Sequence, residues 1–266
     1  MEITSPIFRP EFAIIIPACD EEACIGRVLD ELSATLAPQK FAIVVGVNGS
    51  SDKTAELARF HAALVAETPE RGYGYGCQSA IDLVTATLPS VRAYIFFAGD
   101  GASDPHDVRK LVDAYEQGYA FVLGARTGQP SNWRPMRFSH VVANFALALW
   151  CGLLTGRWFT DLAPLRLIER RLFEAIAPRE KKFGWTIEPQ IAAVRLGAAI
   201  CEVRASERPR LAGQQKVSGV TWRRTFTIGC RILAAGARAR RRFHRGVNFD
   251  LRPAEKDLVA QPQRGS

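Results

Sequence analysis

Short unbroken runs of apolar residues, each followed by a longer stretch whose apolar positions recur every three or four residues, organise most of this chain. Phe12-Ala-Ile-Ile-Ile-Pro17 is the first run, too continuous for a strand with one wet face, and it predicts a strand buried on both sides. Helical periodicity follows over residues 21–36. A second such run, 41–47, ends at the turn Asn48-Gly49-Ser50-Ser51-Asp52, and 54–64 reads as the next helix. A brief strand near 63–66, a Gly-rich turn over 71–76, a helix over 77–87 and a strand over 93–97 complete a βαβαβαβ series. That alternation predicts an α/β fold: a Rossmann-like, mostly parallel sheet flanked by helices, with ligands held where strands end and loops open. The pattern continues with a helix over 105–117, a strand over 120–124 and a polar loop through Pro135. Helices are then expected over 138–154, 169–177 and 187–197, and a strand over 199–204. Neither linker nor repeat interrupts the series, so residues 1–217 are expected to form one domain.

Composition changes this picture mainly at the C-terminal end. The 266 residues carry a net charge of +8. Between Arg208 and Asn248 there is no Asp or Glu but eleven basic residues, so the remainder of the chain is net acidic. A cationic segment on an acidic body points to an anionic partner. The six cysteines form no CxxC pair, which suggests neither a disulfide framework nor a zinc site, and a reduced, cytoplasmic setting is expected. The first residues lack the basic-then-apolar pattern of a secretory signal. The longest uncharged run, 141–156, falls short of the ~20 apolar residues of a spanning helix.

Acidic and polar residues cluster just after the predicted strands: Asp20, Glu21 and Glu22 after the first, Asn48 and Asp52 after the second, Asp100 and Asp104 after Phe96-Phe97. Singly, each suits a helix cap or a solvated loop. Together they would line one rim, where a hard divalent cation and a nucleotide diphosphate are natural occupants. His61, His106, His140 and His244 show no metal spacing, and no Gly-x-Ser-x-Gly is present, so hydrolase chemistry has no support.

In order and spacing, Ile-Ile-Ile-Pro-Ala-Cys-Asp-Glu-Glu, Val-Asn-Gly-Ser-Ser-Asp-Lys-Thr, Arg71-Gly72-Tyr-Gly, Phe-Phe-Ala-Gly-Asp-Gly-Ala-Ser-Asp-Pro and Gly124-Ala-Arg126 resemble the motifs of family 2 glycosyltransferases with the GT-A fold. The similarity runs on through Thr160-Asp161-Leu-Ala-Pro-Leu-Arg166, Phe183-Gly-Trp-Thr-Ile-Glu188 and the segment 202–219. Within the family it is similar to the polyprenyl and dolichyl phosphate mannosyl- and glucosyltransferases. The resemblance implies inverting transfer of a hexose from a UDP- or GDP-linked sugar to a polyprenyl phosphate or related lipid or glycan acceptor, with Mg²⁺ or Mn²⁺ as cofactor. By position it implies donor contacts at Pro17, Ala18, Glu21, Asn48, Gly72, Asp100, Arg210 and Lys216, with Gly213 in the same basic motif. It implies a metal site at Asp100, and Arg126, Asp161 and Arg166 as catalytic residues around the acceptor. An acceptor phosphate needs no strong base, so Asp161 would orient it; with a hydroxyl acceptor Asp161 would be the base. Three positions depart from the family pattern: Ala98 replaces the first Asp of Asp-x-Asp, Val47 an acid near the base, and Gln215 a Ser. A nucleotide-sugar-binding protein without catalysis, or a sugar-phosphate nucleotidyltransferase, is the alternative.

A helical wheel over 218–249 puts Trp222, Phe226, Cys230, Leu233 and Ala237 on one face, with Ile228 and Ile232 beside it, and Arg224, Arg231, Arg238, Arg242 and Arg245 on the other. That predicts a basic amphipathic segment lying on an anionic membrane surface, and so a protein peripheral on the inner face of the cytoplasmic membrane. A helix packed on the domain with a solvated charged side is the alternative. Residues 141–154, with Phe145 and Trp150, are a second candidate for lipid contact, against core burial. Nucleic acid is not expected as a partner, because no aromatic platform accompanies the arginines. Residues 250–266 read as a disordered tail.

Overall fold

The computed structural model describes residues 9–127, 130–133, 138–212 and 222–243, with 133, 138–140 and 222–226 described by backbone alone. Gly213, Gln215, Lys216, the expected boundary at 217/218, Arg245 and the tail lie outside the described residues.

Seven strands form one sheet: β1 (Phe12–Ala18), β2 (Phe41–Asn48), β3 (Leu64–Thr68), β4 (Ala93–Phe96), β5 (Phe121–Ala125), β6 (Arg166–Glu169) and β7 (Ile200–Arg204). Their order is β3-β2-β1-β4-β6-β5-β7. All neighbours are parallel except β6, which pairs antiparallel with β4 and β5. The fully buried Ile14, Ile15 and Ile16 show why β1 reads as an unbroken apolar run: it is central, with a helical layer on each face. One layer includes α1 (Ile25–Thr35) and α4 (Asp107–Glu116). The other includes α3 (Tyr73–Thr87), α5 (Phe138–Thr155), α6 (Arg170–Ile176), α7 (Ile187–Arg195) and α8 (Trp222–Arg242). The short α2 (Thr54–Phe60) links β2 to β3.

Two expectations need correction. The sequence pattern misses β6, and residues 73–76 are not a turn but the first turn of α3. α3 lies unusually close to the sheet there. A Cβ on Gly46 would stand 1.9 Å from the Gly76 carbonyl oxygen, and one on Gly76 would stand 2.7 Å from Asn48 Oδ1 and 3.1 Å from Pro17 Cβ. The glycines therefore serve backbone contact between helix and strand, and they bring the ends of β1, β2 and α3 together.

α8 also differs from the helical-wheel reading. It docks on α5 and α7 through Ala235, Gly236 and Ala239, with Ile232 half-buried beside them, while Cys230 and Leu233 remain exposed. Small residues let the helix approach closely: Gly184 meets Ala235, and Gly236 meets Ile187, Ile191 and Leu154. Side-chain hydrophobicity alone underweights such a face. Arg242 pairs with the buried Glu188 at 3.0 Å, and Arg238 pairs with Glu180. Among the described residues no helix is long and apolar enough to cross a membrane.

Most acids after the strands tie loops together. Asp20 accepts from Ser51 N–H at 2.7 Å and Ser51 Oγ at 3.2 Å, and pairs with Arg71 at 3.0 Å. Glu22 accepts from Lys53 N–H at 3.1 Å, and Asp104 caps His106 N–H at 2.9 Å. Asp52 accepts from Glu22 N–H and Thr54 N–H, both at 3.0 Å, and from Thr54 Oγ1.

The Gly46→Ala substitution is expected to lower stability in urea unfolding by about 3 kcal/mol, because strand or helix must shift to admit the methyl group. Burial works against the Asp52 carboxylate, but its hydrogen bonds outweigh that and hold its pKa below the ordinary 3.8. Its stabilisation is therefore complete above that value and disappears as pH falls through the lower folded-state pKa. Asp52→Asn is expected to cost roughly 1 kcal/mol at pH 7. That deficit should vanish in acid when unfolding is followed across pH.

Candidate active site

With those acids engaged, Glu21 and Asp100 stand at the ends of β1 and β4, and both meet one guanidinium. Arg210 Nη2 lies 3.2 and 3.3 Å from the Glu21 oxygens, and Nη1 lies 3.0 Å from Asp100 Oδ2. Asp100 Oδ1 accepts from Ala102 N–H at 3.0 Å. Arg210 Nε is buried and has no hydrogen-bond partner among the described residues. Backbone bonds lay its segment along the β4 loop: Arg208 N–H donates to Ala102 O at 2.7 Å and Leu211 N–H to Asp100 O at 3.1 Å. The Cys24 thiol donates to Glu21 Oε2 at 3.1 Å. Burial, then that carboxylate, pushes its pKa up to about 12.

Pro17 and Ala18 end β1 beside Gly46 and Val47 of β2, and a Cβ on Gly99 would touch Ile16 and Ala18, so the Asp100 turn sits against the same strand end. Asn48, buried, closes β2. Beyond it a recess of 230 Å³ is lined by Val47, Gly49, Ser50, Glu67, Thr68 and Pro69. Gly72 precedes α3 and packs against Lys181. In that first helical turn, Gly74 N–H donates to Lys181 O at 3.0 Å, and the N–H groups of Tyr75 and Gly76 donate to Gly72 O. Those donors are spent within the protein, so this turn is not an open phosphate cradle.

The other half of the rim is built around Arg126, which follows β5. Asp161 is fully buried and accepts from Arg126 N–H at 3.1 Å, Nε at 2.8 Å and Nη2 at 3.1 Å. Burial disfavours the guanidinium charge, but Asp161 and then Glu207 more than offset this and raise its pKa. Arg126 Nη1 lies 3.3 Å from both Glu207 oxygens. Burial raises the Glu207 pKa despite that cation, and Asp100 contributes to the rise. Arg166 is buried beneath. Its Nε donates to Ala163 O and its Nη1 to Thr186 O, each at 2.8 Å, and burial lowers its pKa.

Thus Glu21, Asp100 and Arg210 meet directly, and Arg126 meets Asp161. Both oxygens of Asp161 face Arg126, and Arg166 is buried against the Ala163 and Thr186 carbonyls. Glu207, between the two halves, is the residue the sequence analysis passes over. Its signal is its place directly before the basic segment, three residues before Arg210.

The glycosyl transferase family 2 model matches residues 13–176. An uncharacterized glycosyltransferase of Mycobacterium tuberculosis is 28% identical over 211 residues, covering 77% of this chain and 89% of that protein. A dolichyl-phosphate hexose transferase of Haloferax volcanii is 28% identical over 208 residues, covering 78% and 86%. The fold is similar to that of glucosyl-3-phosphoglycerate synthase from M. tuberculosis, solved with Mn²⁺, UDP and glucosyl-3-phosphoglycerate. The TM-score is 0.64 at 20% identity, covering 87% of this chain and 80% of that one. With the parallel sheet and the Glu21–Arg210–Asp100 cluster at its strand ends, these matches establish that the chain belongs to glycosyl transferase family 2.

Proposed function

We propose that the chain transfers a hexose, with inversion, from a UDP- or GDP-linked sugar to a polyprenyl phosphate or a related phosphate-bearing lipid, while peripheral on the cytoplasmic face of the membrane. The observation that carries this reading is Arg210, a cation held between two carboxylates at the strand ends, its Nε without a hydrogen-bond partner among the described residues. Glu21 and Asp100 would repel a bare diphosphate, whereas Arg210 and a divalent cation would leave its site net positive. Pro17, Ala18 and Asn48 would line the nucleoside end, with Gly72 at its edge and Lys216 closing over the phosphates.

The metal fits on the chemistry of the donor set. Asp100 is the carboxylate that would hold Mg²⁺ or Mn²⁺, whose shell commonly takes one or two carboxylates and completes itself with phosphate oxygens and water. Among the described residues no three His, Cys, Asp or Glu side chains gather as a metal site of their own, so the cation would be shared with the donor. When bound, it would neutralise charge growing on the leaving diphosphate.

On the acceptor side, both oxygens of Asp161 are taken by Arg126, so Asp161 serves as a positioning residue for that guanidinium. With its donors engaged by Asp161 and Glu207, Arg126 would act on the acceptor phosphate through its positive charge, and Arg166 would add to that potential. A phosphate acceptor is already anionic at neutral pH and matches a site whose buried Asp has both oxygens occupied by Arg126. Glu207 favours a second reading. Half-buried, with a raised pKa and close to Arg126, it is the carboxylate placed to deprotonate a hydroxyl acceptor.

Mn²⁺ alone should bind weakly, and adding UDP should tighten it by at least about tenfold, read by Mn²⁺ electron paramagnetic resonance. Asp100→Asn should lose that increment and transfer no labelled sugar to extracted lipid; near-normal turnover in this variant would exclude the metal role. Glu207→Gln separates the acceptors. Transfer to a polyprenyl phosphate should persist in this variant, whereas loss of more than about 100-fold together with a flattened acid limb of the pH profile would identify a hydroxyl acceptor.

A further inference from the structure

α5 is apolar on both of its sides. Val141, Ala148, Cys151 and Leu154 face the core. On the opposite side Val142, Phe145, Leu149 and Leu153 are 50%, 44%, 50% and 61% exposed, and they recur at the spacing of one helical stripe. Trp158, 66% exposed, folds back over Gly152 to extend that stripe past the helix end. A contiguous row of large apolar side chains on the surface marks an interaction site.

The charge around the row selects its occupant. α5 contains no charged residue, and α8 carries seven arginines and no acid. The two helices run side by side in the same direction: Trp150 Nε1 donates to Leu233 O at 3.2 Å, and Leu154 lies against Gly236. Leu233, beside Trp150, is exposed, and so are Arg240 and Arg241 on the turn of α8 that follows Gly236. Two copies joined through this face would bring two arginine clusters together, whereas anionic lipid satisfies both the apolar row and the arginines. Both ends of α5 also lead into the acceptor half of the rim, Arg126 before it and Asp161 after it.

We propose that the Val142–Phe145–Leu149–Leu153 stripe, with Trp158, inserts into the surface of an anionic bilayer, and that Arg240 and Arg241 of α8 sit at its headgroups. The anchor is thus α5's outer face, with α8 docked behind it on the domain. The proposal rests on the lipid-borne acceptor for its purpose, but the binding is measured without any substrate.

The test is sedimentation of the full chain with vesicles of phosphatidylglycerol and phosphatidylcholine. Wild-type protein should bind these vesicles, and bind pure phosphatidylcholine more weakly. The Phe145→Ser/Leu149→Ser/Leu153→Ser variant should bind at least about tenfold less at equal lipid. Its melting temperature and UDP-sugar thermal shift should be unchanged, since these side chains face away from core and rim. Arg240→Gln/Arg241→Gln should weaken binding several-fold on anionic vesicles only. Undiminished sedimentation of the triple variant overturns the proposal. So does a wild-type dimer in light scattering that the triple substitution converts to monomer, which would assign the stripe to a second copy. Failure of UDP-sugar binding in a wild-type protein that still binds vesicles would count against the enzymatic reading and leave this surface standing.

Discussion

Burying an arginine against an aspartate is costly unless nearly every donor and acceptor finds a partner, and the Arg126–Asp161 pair meets that condition. Asp161 accepts three hydrogen bonds from the one residue, including its backbone N–H. Asn132 then donates to the Arg126 carbonyl at 3.0 Å and to Ala205 O at 2.8 Å. The pair therefore pins three chain segments that are distant in sequence: the end of β5, the connection after α5 and the strand exit after β7. It works with the backbone bonds from Ala205, Arg208 and Leu211 to hold the segment that carries Glu207 and Arg210 across the strand ends.

The rim then divides its charge in an orderly way. Glu21, Arg210 and Asp100 alternate in sign on one side; Glu207, Arg126 and Asp161 alternate on the other. Such alternation satisfies buried charge internally while leaving single positions that a ligand of matching charge can replace. It also explains the abundance of acids after the strands. Asp20, Glu22, Asp52 and Asp104 hold loops in place, so two carboxylates of that group, not six, meet the arginine.

The central strands and their helices are legible because each is set by local periodicity: Ile14 to Ile16 are buried on both faces, and the sequence says so directly. β6 is not legible, since Arg166-Leu-Ile-Glu169 is only four residues long and owes its strand state to pairing with β4 and β5. The Gly72 to Gly76 run misleads for a related reason. Turn chemistry and close helix–strand packing ask for the same residue, and only the opposing Gly46 reveals which applies. Asp161 and Arg126 are found through motif spacing, but spacing does not disclose that the carboxylate is consumed by the arginine. Glu207 escapes because an acid at the border of a basic segment looks like solvated charge until Arg126, 81 positions earlier, is brought beside it. In α8, the docked face is made of alanine and glycine, which a scale of hydrophobicity ranks below the leucine and cysteine that stay outside.

Cys24 lies at the heart of the rim, bonded to Glu21 and 3.4 Å from the Gly99 carbonyl. A thiol held protonated to about pH 12 is a poor nucleophile, because the thiolate is the reactive form. Alkylating reagents and mild oxidants should pass over it and modify the exposed Cys230 on the outer helix instead. A covalent inhibitor aimed at this mouth would need a different handle from its sulfur.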